Sequence, residues 1–72
     1  MNFNGDKLRK MRIESGYEID DFLFELYLST KFRTSRQTLS KWESGKGSPS
    51  GKSIYALCKH FNKPVEYFFD KN

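Results

Sequence analysis

The chain has one cysteine, one histidine and two prolines in 72 residues. A single cysteine forms no internal disulfide, and with one histidine it makes no zinc set. The disulfide-stapled mini-protein and the zinc finger are therefore excluded. No apolar run reaches the ~18 residues of a membrane-spanning helix. The segment MNFNGDKLRK has no apolar stretch behind its charges, so no secretory leader is expected. No segment shows convincing period-two alternation, which leaves the all-α class. There is no nucleophile–base pair, metal set or phosphate loop, so no enzyme, cofactor or small-molecule substrate is expected. No repeat, low-complexity tract or linker divides the chain. One domain over residues 1–72 is expected, near the lower size limit for a core without staples.

Large side chains and unevenly placed charge are what the sequence does have. Seven Phe, four Tyr and one Trp suit a small core that must gain burial from bulky residues. The net charge of +4 hides three blocks. Lys7, Arg9, Lys10 and Arg12 carry +4; Glu14, Glu18, Asp20, Asp21 and Glu25 carry −5. Residues 31–52 carry +5, from Lys31, Arg33, Arg36, Lys41, Lys46 and Lys52 against Glu43. Basic stretches in a tiny domain suit a polyanion partner, which the acidic block would repel. Solvated helix faces give the same pattern, and charge alone does not separate the two readings.

Apolar spacing predicts five helices. The first runs from about Gly5 to Ser15, capped by Asn4 or Asp6, with Leu8, Met11 and Ile13 inward and Gly16 as its stop. The second, Glu18 to Thr30, places Ile19, Phe22, Leu23, Leu26 and Tyr27 at helical intervals. The third covers residues 35–44, with Thr34 or Ser35 as cap and only Leu39 and Trp42 apolar. The loop GKGSPSGK follows. The fourth, Gly51 to Phe61, is capped by Ser50, turns Ile54, Leu57, Cys58 and Phe61 inward, and ends at Asn62. Pro64 opens a short fifth helix whose Val65, Phe68 and Phe69 close the core. His60 is expected at the surface, and Tyr55 and Tyr67 either cover the core or lie at an interface.

The third helix is the informative one. Two core residues leave an outward row of Arg36, Gln37, Ser40 and Lys41. Arg and Lys pair with guanine O6 and N7, and Gln pairs with adenine, so this row suits a major groove. Ser35, Ser44, Lys46 and Ser48 lie at the helix ends, where hydroxyls, amines and backbone N–H groups hold phosphates. A plain solvated face has the same composition.

Three segments, LRKMRIESG, SRQTLSKWESGKGSPS and IYALCKHFNKPVEYFF, resemble the helix-turn-helix domain of phage repressors and Cro proteins. The carrying residues are Leu8, Arg9, Arg12 and Gly16; Ser35, Thr38, Leu39, Trp42, Glu43, Gly45, Lys46 and Pro49; and Ile54, Leu57, Phe61 and Phe68. The resemblance covers essentially the whole chain. It implies a compact five-helix, lambda-repressor-like domain in the bacterial cytoplasm, with the third helix in the major groove of a double-stranded DNA operator. It places base reading on Arg36, Gln37 and Lys41, with Ser40 in addition. It also implies a structural ion pair between Arg12 and Glu43.

The chain departs from the family between its first and third helices. The stretch from Gly16 to Arg33 is several residues longer than usual, which extends helix two. Arg33 stands where the family has its turn glycine, and the usual phosphate-touching position falls near Ile19 or Asp20. At about 100° per residue, Ile19, Leu23, Leu26, Tyr27 and Thr30 share one side of helix two, with Phe22 at its edge. Phe24 and Leu28 face the other side among Asp20, Asp21 and Glu25. These five residues form a docking surface complementary to a basic protein, or else Phe24 and Leu28 pack on the fourth or fifth helix.

The single-domain size is similar to that of the small modulator-of-repression proteins of temperate phages of lactic-acid bacteria. This likeness implies a regulator of the lysis–lysogeny switch that acts with or against a partner repressor, as a heterodimer. The alternative is an antirepressor that acts mainly by contact with the repressor's DNA-binding domain. One reading helix covers a half-site, so specific binding calls for a dimer or a partner.

Overall fold

The computed structural model describes residues 2–70. The element order is β1 (Asn2–Phe3), α1 (Gly5–Glu14), α2 (Ile19–Thr30), α3 (Arg36–Ser44), α4 (Gly51–Phe61), a 3-10 turn (Val65–Phe68) and β2 (Phe69–Asp70). Each α-helix starts or stops for a local chemical reason. Asn4 accepts from the Lys7 N–H, Ser35 from Thr38 and Ser50 from Ser53, so three N-termini have a side-chain cap. Gly16 (φ 84°) and Gly45 (φ 81°) end α1 and α3 in the left-handed region, which suits a residue without a Cβ. Asn62 ends α4 at φ 55°.

Leu8, Phe22, Leu26, Leu39, Leu57 and Phe68 are fully buried, with Trp42 and Ala56 beside them. α1 packs on α3, and α2 packs on both α4 and α3. Phe22 is central rather than at the edge of the α2 stripe. It stacks on Phe61 at 5.6 Å and meets the His60 ring edge-on at 5.4 Å. Ile19, Leu23 and Tyr27 flank it half-buried. Packing against both α3 and α4 recentres the buried stripe, which a wheel drawn for one neighbour does not anticipate.

The expected fifth helix is a single 3-10 turn, so the described residues form four α-helices. Pro64 precedes this turn, and Phe69 then leaves it in an extended conformation. β2 pairs antiparallel with β1, Asn2 opposite Asp70 and Phe3 opposite Phe69. Asn4 Nδ2 donates to Asp70 Oδ1 at 2.9 Å, and Lys7 Nζ donates to the Tyr67 carbonyl at 3.1 Å. Phe3 stacks on Phe68 with centroids 6.1 Å apart. Phe3 and Phe68 thus close the core, while Phe69 is half-buried and Val65 is exposed. Ile13 also faces solvent, because α1 turns Leu8 and the Arg12 stem inward.

His60 is half-buried rather than superficial. Its Nδ1 lies 2.6 Å from the Ser29 hydroxyl, and burial lowers its pKa while nearby Glu25 opposes that shift. Cys58 is also half-buried, and desolvation pushes its thiol pKa up. No helix among the described residues is long and apolar enough to cross a membrane.

One glycine sets the spacing of α1 and α3. A Cβ built on Gly5 falls on the Trp42 carbonyl and against the Glu43 backbone. Neither backbone group can swing aside, so α3 or α1 must shift as a whole. Gly5→Ala is expected to destabilise the fold by about 2 kcal/mol, the usual scale of overpacking, despite alanine's better helix propensity. Urea denaturation followed by circular dichroism measures this, and unchanged stability would contradict the close approach.

Candidate nucleic-acid interface

α3 is held in place by a buried ion pair. Arg12 Nε donates to Glu43 Oε2 at 2.7 Å, and Arg12 Nη2 donates to Glu43 Oε1 at 3.0 Å. The third guanidinium nitrogen, Nη1, donates to the Tyr17 carbonyl at 2.9 Å. The two side chains are only 10% and 7% exposed. A planar fork on a carboxylate fixes distance and direction together, so this contact orients α3 against α1. The hydrogen bonding of Arg12 to Glu43 is the main reason that the Arg12 pKa is raised, against an opposing desolvation. Arg12 and Glu43 thus meet as the sequence motif implied.

Around this anchor α3 turns Leu39 and Trp42 into the core. Arg36, Gln37, Ser40 and Lys41 are all exposed on its outer side. These four, with Ile19, Ser44 and Lys46, line one concave surface. Ser48 is exposed in the loop beyond it. Ser35 is committed to its own helix: its Oγ accepts from the Thr38 N–H at 3.1 Å and donates to Thr38 Oγ1 at 2.9 Å. A phosphate at this end is therefore left the backbone N–H groups of the first turn. At the other end, Lys46 N–H donates to the Lys41 carbonyl at 2.9 Å, which closes a Schellman turn around Gly45. The Lys46 side chain is exposed beside the reading row.

The connection from α2 to α3 differs from the expected one. The left-handed residue is Lys31 (φ 62°), two positions before Arg33, which has no such backbone. Phe32 then packs against the core, and its N–H donates to Thr30 Oγ1 at 3.3 Å. Arg33 lies with its guanidinium 4.4 Å from the Tyr27 ring centroid, which occupies it on α2 rather than in the turn. A chain that reverses at Lys31 therefore needs no glycine at Arg33.

The N-terminus of α2 reaches the same surface. Asp20 Oδ1 lies 3.3 Å from Arg36 Nε, so one base-reading candidate already has a carboxylate beside it. Ile19 lines the groove although its spacing marked it as core. Its place at the start of α2 was the available signal. Asp21 lines the adjoining surface with Glu18 and Asp20. Farther along α2, Phe24 is 61% exposed and Leu28 is 50% exposed. Neither belongs to the core cluster or to the side chains packed against it, and Glu25 is half-buried near His60.

Glu43→Gln is expected to lower stability by about 3 kcal/mol, because it leaves the Arg12 cation facing an uncharged partner inside the fold. Arg12→Met combined with Glu43→Leu should recover much of that loss while relaxing the angle of α3. Denaturation of the double and of the Arg12→Met and Glu43→Leu singles measures the coupling, and additive losses would contradict it.

Comparison with known proteins bears on this surface. A helix-turn-helix family model matches residues 8–68, a span that contains every element from the middle of α1 to the 3-10 turn. The HTH-type transcriptional activator BcrR of Enterococcus faecalis is 33% identical over 66 residues. That match covers 92% of this chain and 29% of BcrR, so the chain spans under a third of that relative's length. No solved structure matches the chain. The buried Arg12–Glu43 fork, the polar face of α3 and the family match agree, and the chain belongs to the helix-turn-helix family.

Proposed function

We propose that this domain binds double-stranded DNA and reads a half-site through α3. The observation that carries the reading is the exposed row of Gln37, Ser40 and Lys41, presented on a helix that Arg12 and Glu43 hold at a fixed angle. Gln37 is suited to adenine N6 and N7, and Lys41 to guanine O6 and N7. Ser40 is a shorter donor between them. Arg36 joins them at the α2 edge of the groove. Ser44, Lys46 and Ser48, with the backbone at Ser35, are suited to hold phosphates on either side. The charges of Arg36, Lys41 and Lys46 make the binding salt-dependent. No catalytic role is proposed.

The assignment is tested with a duplex that the wild-type protein selects from a random pool. Gln37→Ala and Lys41→Ala should each weaken binding by about 1–3 kcal/mol and relax the preference at one base pair. Full-strength binding by both variants would place the reading surface elsewhere.

A second reading is favoured by the exposure of Phe24 and Leu28. With Asp20, Asp21 and Glu25 around them, they suit a basic, partly apolar protein surface. The DNA-reading face of another regulator has that character. In this reading the protein is a phage regulator of the lysis–lysogeny switch that pairs with a repressor, or an antirepressor that occupies the repressor's DNA-binding domain. Phe24→Asp with Leu28→Asp should leave the fold intact, because neither side chain is in the core. It should also abolish co-purification with a co-expressed partner repressor. A folded double variant that still captures the repressor would remove this reading.

A further inference from the structure

The acidic start of α2 and the reading helix meet at one contact. Asp20 stands in the first turn of α2, where free backbone N–H groups favour a carboxylate. Arg36 is the first residue of α3. The Asp20 and Arg36 side chains are 69% and 68% exposed, so their 3.3 Å pairing contributes little to stability. Its consequence lies in what it does to Arg36. Glu18 and Asp21 line the same surface, so this guanidinium sits in an acidic neighbourhood at the edge of a groove that is otherwise basic.

The closest approach of the pair is at Arg36 Nε, the inner edge of the guanidinium. Guanine O6 and N7 accept two parallel N–H donors in the plane of the base. Arg36 can present its Nη donors to that edge while Asp20 still holds Nε, and the guanidinium then arrives already oriented. A phosphate accepts the same two donors, but it adds a full negative charge. An Arg36–phosphate contact brings a second anion up to the Asp20 carboxylate, so attraction to one group is offset by repulsion from the other.

We propose that Asp20 is a specificity-determining residue of the reading surface: it orients Arg36 for a guanine edge and suppresses its use as a general phosphate contact. The proposal rests on the DNA-reading assignment above. It gives the acidic block a role in discrimination between sequences, separate from any protein partner.

The test measures fluorescence anisotropy with a random-sequence duplex and with the selected duplex, each over a salt series. Circular dichroism confirms that every variant is folded. Asp20→Asn should bind the random duplex about three- to tenfold more tightly, because one more arginine becomes free to meet phosphate. The plot of log affinity against log salt should steepen by about 0.9, the value for one added phosphate contact. Preference for the selected duplex should fall. In an Arg36→Ala background, Asp20→Asn should give no steeper slope. The same gain with and without Arg36 would reduce Asp20 to a simple repulsive charge and overturn the proposal. An Asp20→Asn protein that binds the random duplex no better than wild type would also overturn it. If neither protein binds any duplex at low salt, the DNA-reading assignment falls as well. Wild-type binding with no gain in the variant removes this proposal alone.

Discussion

The position of α3 depends on one buried, doubly hydrogen-bonded ion pair. Arg12 comes from the last turn of α1 and Glu43 from the last turn of α3, and their fork fixes how the two helices cross. Taking both charges out of water is unfavourable by itself. Here all three guanidinium nitrogens have acceptors, two on Glu43 and one on the Tyr17 carbonyl. The third bond also ties down the chain just after Gly16, so the α1 exit, the start of the α2 connection and α3 share one anchor. A buried polar contact of this kind contributes direction more than stability, and direction is what a groove-reading helix needs.

Close packing supports the same geometry from the other end. Gly5 lets the start of α1 touch the backbone at Trp42 and Glu43. Trp42 and Leu39 then reach the core, and the rest of α3 stays outside. A helix with two buried side chains and a backbone contact is held without spending its polar face. Arg36, Gln37, Ser40 and Lys41 are exposed for that reason.

The acidic block of the sequence is distributed in two ways in the fold. Asp20 and Asp21 stand near the reading surface, whereas Phe24 and Leu28 extend the exposed face of α2 away from it. α2 thus brings an acidic edge to the groove beside α3 and carries exposed apolar side chains farther along. The reversal at Lys31 ends this helix: it lets Phe32 pack against the core and places Arg33 on Tyr27.

Local chemistry made much of this legible in the sequence. The caps at Asn4, Ser35 and Ser50 and the stops at Gly16, Gly45 and Asn62 depend on side chains and backbone within a few residues, and they stand where the sequence places them. The Arg12–Glu43 pair was legible through a family motif rather than from spacing. Other features depend on distant partners. The final helix became a 3-10 turn and a strand because Phe69–Asp70 found the edge of Asn2–Phe3, a pairing across nearly the whole chain. Phe22 moved to the centre of its stripe because α2 has neighbours on two sides. The sequence by itself determined an all-α domain with a polar third helix between defined ends. Only the tertiary structure decided that Asp20 lies against Arg36, that Lys31 makes the turn, and that Phe24 and Leu28 remain uncovered. Caps and periodicity act over one or two helical turns, whereas those contacts depend on how whole helices pack.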